Sequence, residues 1–256
     1  MTDENPDRLS EGSKSGVVAS ANLDVQTRVY LSHTHIRAAS FFAREAGKLE
    51  DEQNNFDTDL LNREQLHEIY VSSSLVSSAL FLEATVNEFY SDITHDFVRE
   101  RKYDLPEQLV QRVDSMVGSI KGTTFTDIST LDKFQWLLIL AGRNPFDKGR
   151  VPYQDTQIVM NFRSAFVHYE PEDLLVSSTE RDPETHSLED ALRTKQVSLN
   201  PIVGEGVPSF PAKCMSHDCA MWAAKSVIEF TDEFFYRLDL EPPYDHIRPD
   251  FSTNSI

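Results

Sequence analysis

A chain of 256 residues with 39% hydrophobic content, 16 phenylalanines and nine glycines can bury a real core and disfavours all-β folds rich in tight turns. Its 42 acidic residues against 24 basic ones leave a formal charge of −18. Such a polyanion repels nucleic acid and anionic membranes unless its basic residues are focused locally.

The first segment, MTDENPDRLSEGSKSG, has no apolar stretch of the signal-peptide kind, and two cysteines build no disulfide framework. No uninterrupted apolar run approaches the roughly 20 residues that span a bilayer. The expected location is therefore cytoplasmic, with no membrane partner. Few of the basic residues are lysines, which suits either a high-salt cytoplasm or an acidic, solubilised surface.

Residues 1–22 lack periodicity and read as a disordered leader. From 25 to 50 the pattern is helical, with Val29, Ile36, Ala39, Ala43 and Ala46 on one stripe. A loop, DEQNNFDTD, follows. A long second helix is predicted from Arg63 to Asp96, with Ile69, Val76, Leu80 and Val86 as apolar positions. Serines at 72–74, 77 and 78 thin its middle, which lets another helix approach closely. A third helix, 107–120, starts after Pro106, a residue suited to a first turn. Ser129, three residues ahead of Asp132, resembles a capping box opening a helix over 131–141. Its FQWLLILA run is apolar on nearly all sides, the pattern of a helix at the centre of a bundle. Gly142 and Asn144–Pro145 end it.

A fifth helix is predicted over 155–168, stopped by the effect of Pro171 on Glu170. Residues 171–211 are acidic and proline-containing and read as a long surface excursion in which a short hairpin stays open. A final helix over 212–238 puts Cys219, Trp222, Ala223, Val227, Phe230 and Phe234 on one face, and residues 241–256 read as a loose tail. The fold class is all-α: an up-and-down bundle of about five to six helices in one domain over 23–240.

The segment NFRSAFVHYEPED carries the most pointed chemistry. It places Arg163 five residues before His168, at a helix end. Five residues turn a helix by about 500°, so the two side chains diverge by about 140°. An unwinding last turn and the long arginine could still bring both heads to one cleft. Histidine exchanges protons near neutral pH, and guanidinium matches phosphate in a bidentate way. A plainer arrangement has Arg163 paired with a carboxylate such as Glu83 while His168 caps the helix, where the dipole favours it by about 0.3–1 kcal/mol.

This Arg-x4-His string on a late helix resembles the HEPN superfamily of helical domains. The wording FRSAFVHYEPE looks like bacterial and archaeal members, and the upstream SALFLEATVNEFY, with Glu83 and Asn87 on one helical face, looks like their long early helix. The resemblance implies an often dimeric protein that targets RNA as a metal-independent endoribonuclease, in stress response, defence or toxin action. It implies that Arg163 stabilises phosphate charge and His168 moves protons at the ribose 2′-hydroxyl and the leaving oxygen. Glu83 and Asn87 would support them. Ser164 stands where the family usually has Asn, Asp or His, keeping a polar side chain without the usual hydrogen-bonding group. No cofactor and no metal is implied.

Other signals are weaker. Cys214, His217 and Cys219 suggest metal ligands but lack a second matching pair, and read more simply as buried helix residues. His33 and His35, two apart, point to different faces. Glu64, Glu68, Glu83 and Glu88 suggest a carboxylate-bridged metal bundle, but that fold wants Glu-x-x-His motifs on two helices, and no such pair appears. The clusters Arg99-Glu100-Arg101-Lys102 and Lys148-Gly149-Arg150 either flank an RNA path or are solvated faces. Two functional classes stay open: an RNA-targeting homodimer, or a non-catalytic interaction module whose acidic surface recruits a protein partner.

Overall fold

The computed structural model describes residues 28–51, 62–95, 102–103, 105, 107–119, 125–168, 187–204, 207 and 209–251. The leader, Arg99–Arg101, residues 171–186 and the last five residues lie outside them. The elements are α1 (Leu31–Asp51), α2 (Arg63–Thr94), α3 (Glu107–Ser119), α4 (Thr130–Leu140), α5 (Tyr153–Val167), a short α6 (Ser187–Arg193) and α7 (His217–Arg237). Short 3₁₀ turns occupy Phe125–Asp127 and Asp245–Asp250. No strand occurs among the described residues, so the chain is an all-α helical bundle.

Local signals set most boundaries. At α2, the Asn62 side chain accepts from Gln65 N (2.8 Å) while Gln65 Oε1 accepts from Asn62 N (3.2 Å), satisfying two amide donors reciprocally. At α4, Ser129 Oγ accepts from Asp132 N, and Gly142 takes a positive φ of 70° just past the helix. The final helix starts later than the sequence pattern suggests. Ser216 caps it, and Phe210, at ψ 136°, breaks the helical path before it.

Helix α2 is the hub, packed against α1 along most of its length and against α3, α4, α5 and α7. The serines explain the close α1 approach. Ser74 and Ser78 are fully buried, and Ser74 Oγ donates to Ala39 O of α1 at 2.8 Å. Gly47 extends the close approach to α7, because a Cβ there would lie 2.8 Å from His217 Nδ1. The apolar positions read from sequence are partly displaced. Ile69 is exposed and Val76 and Leu80 are half-buried, while Val71, Leu75, Leu82 and Phe89 enter the core with Val86. The inner face of α2 is built around small serines, so a stripe drawn through its large residues drifts outward. Val29 is exposed ahead of α1.

Phenylalanines fill the centre. Phe89 meets Phe234 and Phe235 edge-on at 5.5 Å, and Phe134 meets Phe234 at 4.8 Å and Phe230 at 5.0 Å. A buried polar knot ties three helix ends. Glu50 Oε1 accepts from His67 Nε2 (2.8 Å) and from the His217 backbone N–H (2.5 Å), and the Asn200 amide contacts His67 Nδ1 (3.3 Å).

By length and apolarity α2 could span a membrane, with a window of mean hydropathy 1.4 despite its serines. Here that apolar surface is covered by α1, α5 and α7. The tail expected to be loose is packed through residue 251. Tyr244, Ile247 and Phe251 are buried, and Arg248 holds Asp232 of α7 through two bonds of 2.9 and 3.0 Å. Part of the 171–211 segment is also built in, since α6 buries Leu188 and Leu192.

His33 sits at the seam between this tail and α1, stacked on Tyr30 and edge-on to His246 at 5.1 Å. Burial first, then His246, lowers its pKa below the ordinary 6.5; burial lowers that of His35 as well. The unfolded chain therefore takes up these protons first as pH falls. Stability from these sites is fully present above about pH 6.5 and is lost as pH drops through the lower folded values. Thermal melts between about pH 7 and 5 should show a falling midpoint, with a shallower slope for His33→Gln.

Candidate functional site

Arg163 and Glu83 meet across the α2–α5 contact. Their nearest charged atoms, Arg163 Nη2 and Glu83 Oε2, are 3.9 Å apart, and the side chains are 33% and 36% exposed. That spacing gives Coulomb attraction without a hydrogen bond, in a solvated setting where such pairs contribute at most about 1 kcal/mol. Arg163 thus faces solvent with its guanidinium donors uncommitted among the described residues.

His168 is the C-cap of α5. Its backbone has left the helix (φ −112°, ψ 32°), and its N–H donates to Ser164 O at 2.9 Å. The His168 ring and the Ser164 side chain are both exposed. The helix ends one residue before His168, so its direction departs from the ideal helical divergence.

Asn87, one turn beyond Glu83 on α2, does not join Arg163. It accepts from Lys133 Nζ of α4 at 2.9 Å. Lys133 is 1% exposed, and its Nζ lies 5.3 Å from the Phe125 ring centre. Burial lowers its pKa, opposed by the nearby carboxylates of Glu83 and Asp127. Glu83 thus balances two cations, one buried and one half-buried. Lys133 stands next to Asp132 at the start of α4, and only its burial shows that it must be paired.

Asn87→Ala would leave a buried ammonium short of an acceptor. We expect a loss of about 1–3 kcal/mol in urea unfolding. Lys133→Met combined with Asn87→Leu should recover part of it, because the Asn87–Lys133 pair is then removed from both sides.

The other candidate clusters do not converge. Cys214 and Cys219 are buried and not joined in a disulfide; burial pushes the Cys214 pKa up to about 12 and that of Cys219 upward too. His217 is turned toward α1, with Nδ1 2.8 Å from Ala43 O. Among the described residues no three His, Cys, Asp or Glu side chains are grouped to hold a metal ion, the four glutamates included. Lys102 pairs with the buried Asp92 (2.9 Å), and Lys148 with Asp132 (3.4 Å). No known protein family, curated protein or solved structure matches this chain.

Proposed function

We propose that this protein is a HEPN-like, RNA-targeting protein of stress-response or defence type, a metal-independent endoribonuclease working as a homodimer. The observation that supports it most is the Glu83–Arg163 contact, which joins the long early helix to the motif helix without a hydrogen bond and leaves the arginine side chain 33% exposed; the same contact, with His168 as C-cap, is also the plainer structural pairing. His168 stands exposed where that helix ends.

In this reading Arg163 binds a phosphodiester and balances the charge that develops on its oxygens. His168 takes the proton of the neighbouring 2′-hydroxyl, whose oxygen attacks phosphorus. The bond to the 5′-oxygen breaks, and that oxygen receives a proton from the second copy's histidine. The products are a 2′,3′-cyclic phosphate and a 5′-hydroxyl. The neighbouring hydroxyl is the nucleophile, so this chemistry needs no metal.

The formal charge of −18 favours a second reading, a non-catalytic module that recruits a protein partner. One experiment separates them: incubation of a mixed RNA pool in EDTA, at low and high salt, with wild type, Arg163→Ala and His168→Ala. Cleavage by wild type alone, leaving cyclic phosphate ends, is the expected result. Equal inertness of three equally folded proteins would overturn the nuclease and leave the interaction module.

A further inference from the structure

A cleft lies near the start of α5, where the α4–α5 loop meets the last turn of α7. It encloses about 520 Å³, and its walls include Arg143, Phe146, Arg150, Val151, Glu233 and Arg237. That volume falls within the roughly 300–1,000 Å³ of small-molecule sites. Three guanidiniums face two carboxylates, Asp147 and Glu233, in a chain whose acidic residues otherwise outnumber its basic ones 42 to 24. With Asp239, which pairs with Arg143 at its edge, each of the three arginines has one carboxylate partner, so the cleft is close to neutral within a molecule of formal charge −18.

Arg237 is built into the wall. Its Nε donates to Glu233 (2.9 Å), its Nη1 donates to Asn144 O (3.0 Å) and Pro145 O (2.9 Å), and its guanidinium lies 4.2 Å from the centre of the Phe146 ring. Of five guanidinium N–H donors, the two on Nη2 have no partner among the described residues. Arg143 and Arg150 are held loosely. Arg143 pairs with the exposed Asp239, and Arg150, 82% exposed, lies 3.3 Å from Asp147. Exposed pairs of this kind are weak, so either arginine can exchange its carboxylate for a stronger anion. Asp147 is further occupied by the Gly149 N–H (2.8 Å).

We propose that this cleft binds a phosphate monoester, as carried by a free mononucleotide or by the 5′ end of an RNA. A carboxylate offers two coplanar oxygens, which one guanidinium fork satisfies. A terminal phosphate offers three oxygens in a tetrahedral array and a second negative charge, matching three guanidiniums that come from three places in the chain. The site is distinct from the Arg163 region, because Arg163 lies ten residues along α5 from Tyr153, a rise of about 15 Å.

The test is isothermal titration of the whole chain at low salt with inorganic phosphate, AMP, adenosine, and one RNA oligonucleotide carrying either a 5′-phosphate or a 5′-hydroxyl. Phosphate and AMP should bind saturably with Kd of about 1 mM or tighter, and adenosine should not. Arg143→Gln and Arg150→Gln, both at solvated positions, should each weaken AMP about tenfold while the melting temperature stays unchanged. Preference for the 5′-phosphorylated oligonucleotide over its hydroxyl twin would identify an RNA end as the source; equal binding of the two, with AMP bound, would identify a free nucleotide. The proposal falls if AMP gives no saturable heat, if both variants bind like wild type, or if Arg163→Ala abolishes binding. None of these readouts requires RNA cleavage, so failure of the nuclease reading leaves the site testable.

Discussion

Tyr244→Ala is expected to lower the stability of the whole bundle by about 3–5 kcal/mol, the range for deleting a large aromatic ring from a core. Tyr244 is fully buried although it lies in the C-terminal segment. Its ring meets Phe81 of α2 edge-on at 5.2 Å and lies 6.3 Å from Phe235 of α7 and 6.1 Å from Phe251. The phenol donates to Asp232 Oδ1 (2.8 Å) and sits 2.6 Å from Thr231 Oγ1. Burial first, then the Asp232 carboxylate, holds the phenol's pKa well above 10.0, so it stays neutral. Tyr244→Phe keeps the ring and removes only the hydroxyl, for an expected loss of about 1–2 kcal/mol, because Asp232 keeps its two bonds from Arg248. Urea unfolding followed by circular dichroism measures both. A loss under about 1 kcal/mol for the alanine variant would mean that residues 241–251 are an accessory rather than part of the core.

The second large effect is expected in RNA cleavage. If His168 moves the proton, His168→Ala should slow cleavage by about 10²–10⁴-fold, the usual share of general acid–base catalysis. Arg163→Ala should cost about 10²–10³-fold through lost stabilisation of developing phosphate charge. The double variant should be little worse than the slower single one, since residues acting as a unit are not additive. Both side chains are partly or fully solvent-exposed, so neither change should shift the melting temperature appreciably. Ser164→Ala, at an exposed position whose backbone rather than side chain supports His168, should leave the rate within a few-fold of wild type. Loss of activity that tracks loss of fold would remove the assignment.

Much of the architecture was legible in the sequence. Ser129 with Asp132, and Gly142, act through amides and φ angles within about four residues, so a string of letters contains the whole interaction. The pairing of Glu83 with Arg163 was named from sequence as one example among several acidic residues of the long second helix, and the tertiary structure selected it. Four features were decided only by tertiary structure. The inner face of α2 follows its serines, because Ser74 had to meet Ala39 of another helix. Asn87 serves Lys133 rather than Arg163, because α4 brings a buried ammonium within 2.9 Å. The tail is core, because Tyr244 finds partners as distant in sequence as Phe81. Arg143, Arg150 and Arg237 share one cleft because α7 returns its last turn to the α4–α5 loop. Local letters fix where helices begin and end; which faces they bury depends on groups tens to hundreds of residues away, whose desolvation is settled only when the whole chain closes on itself.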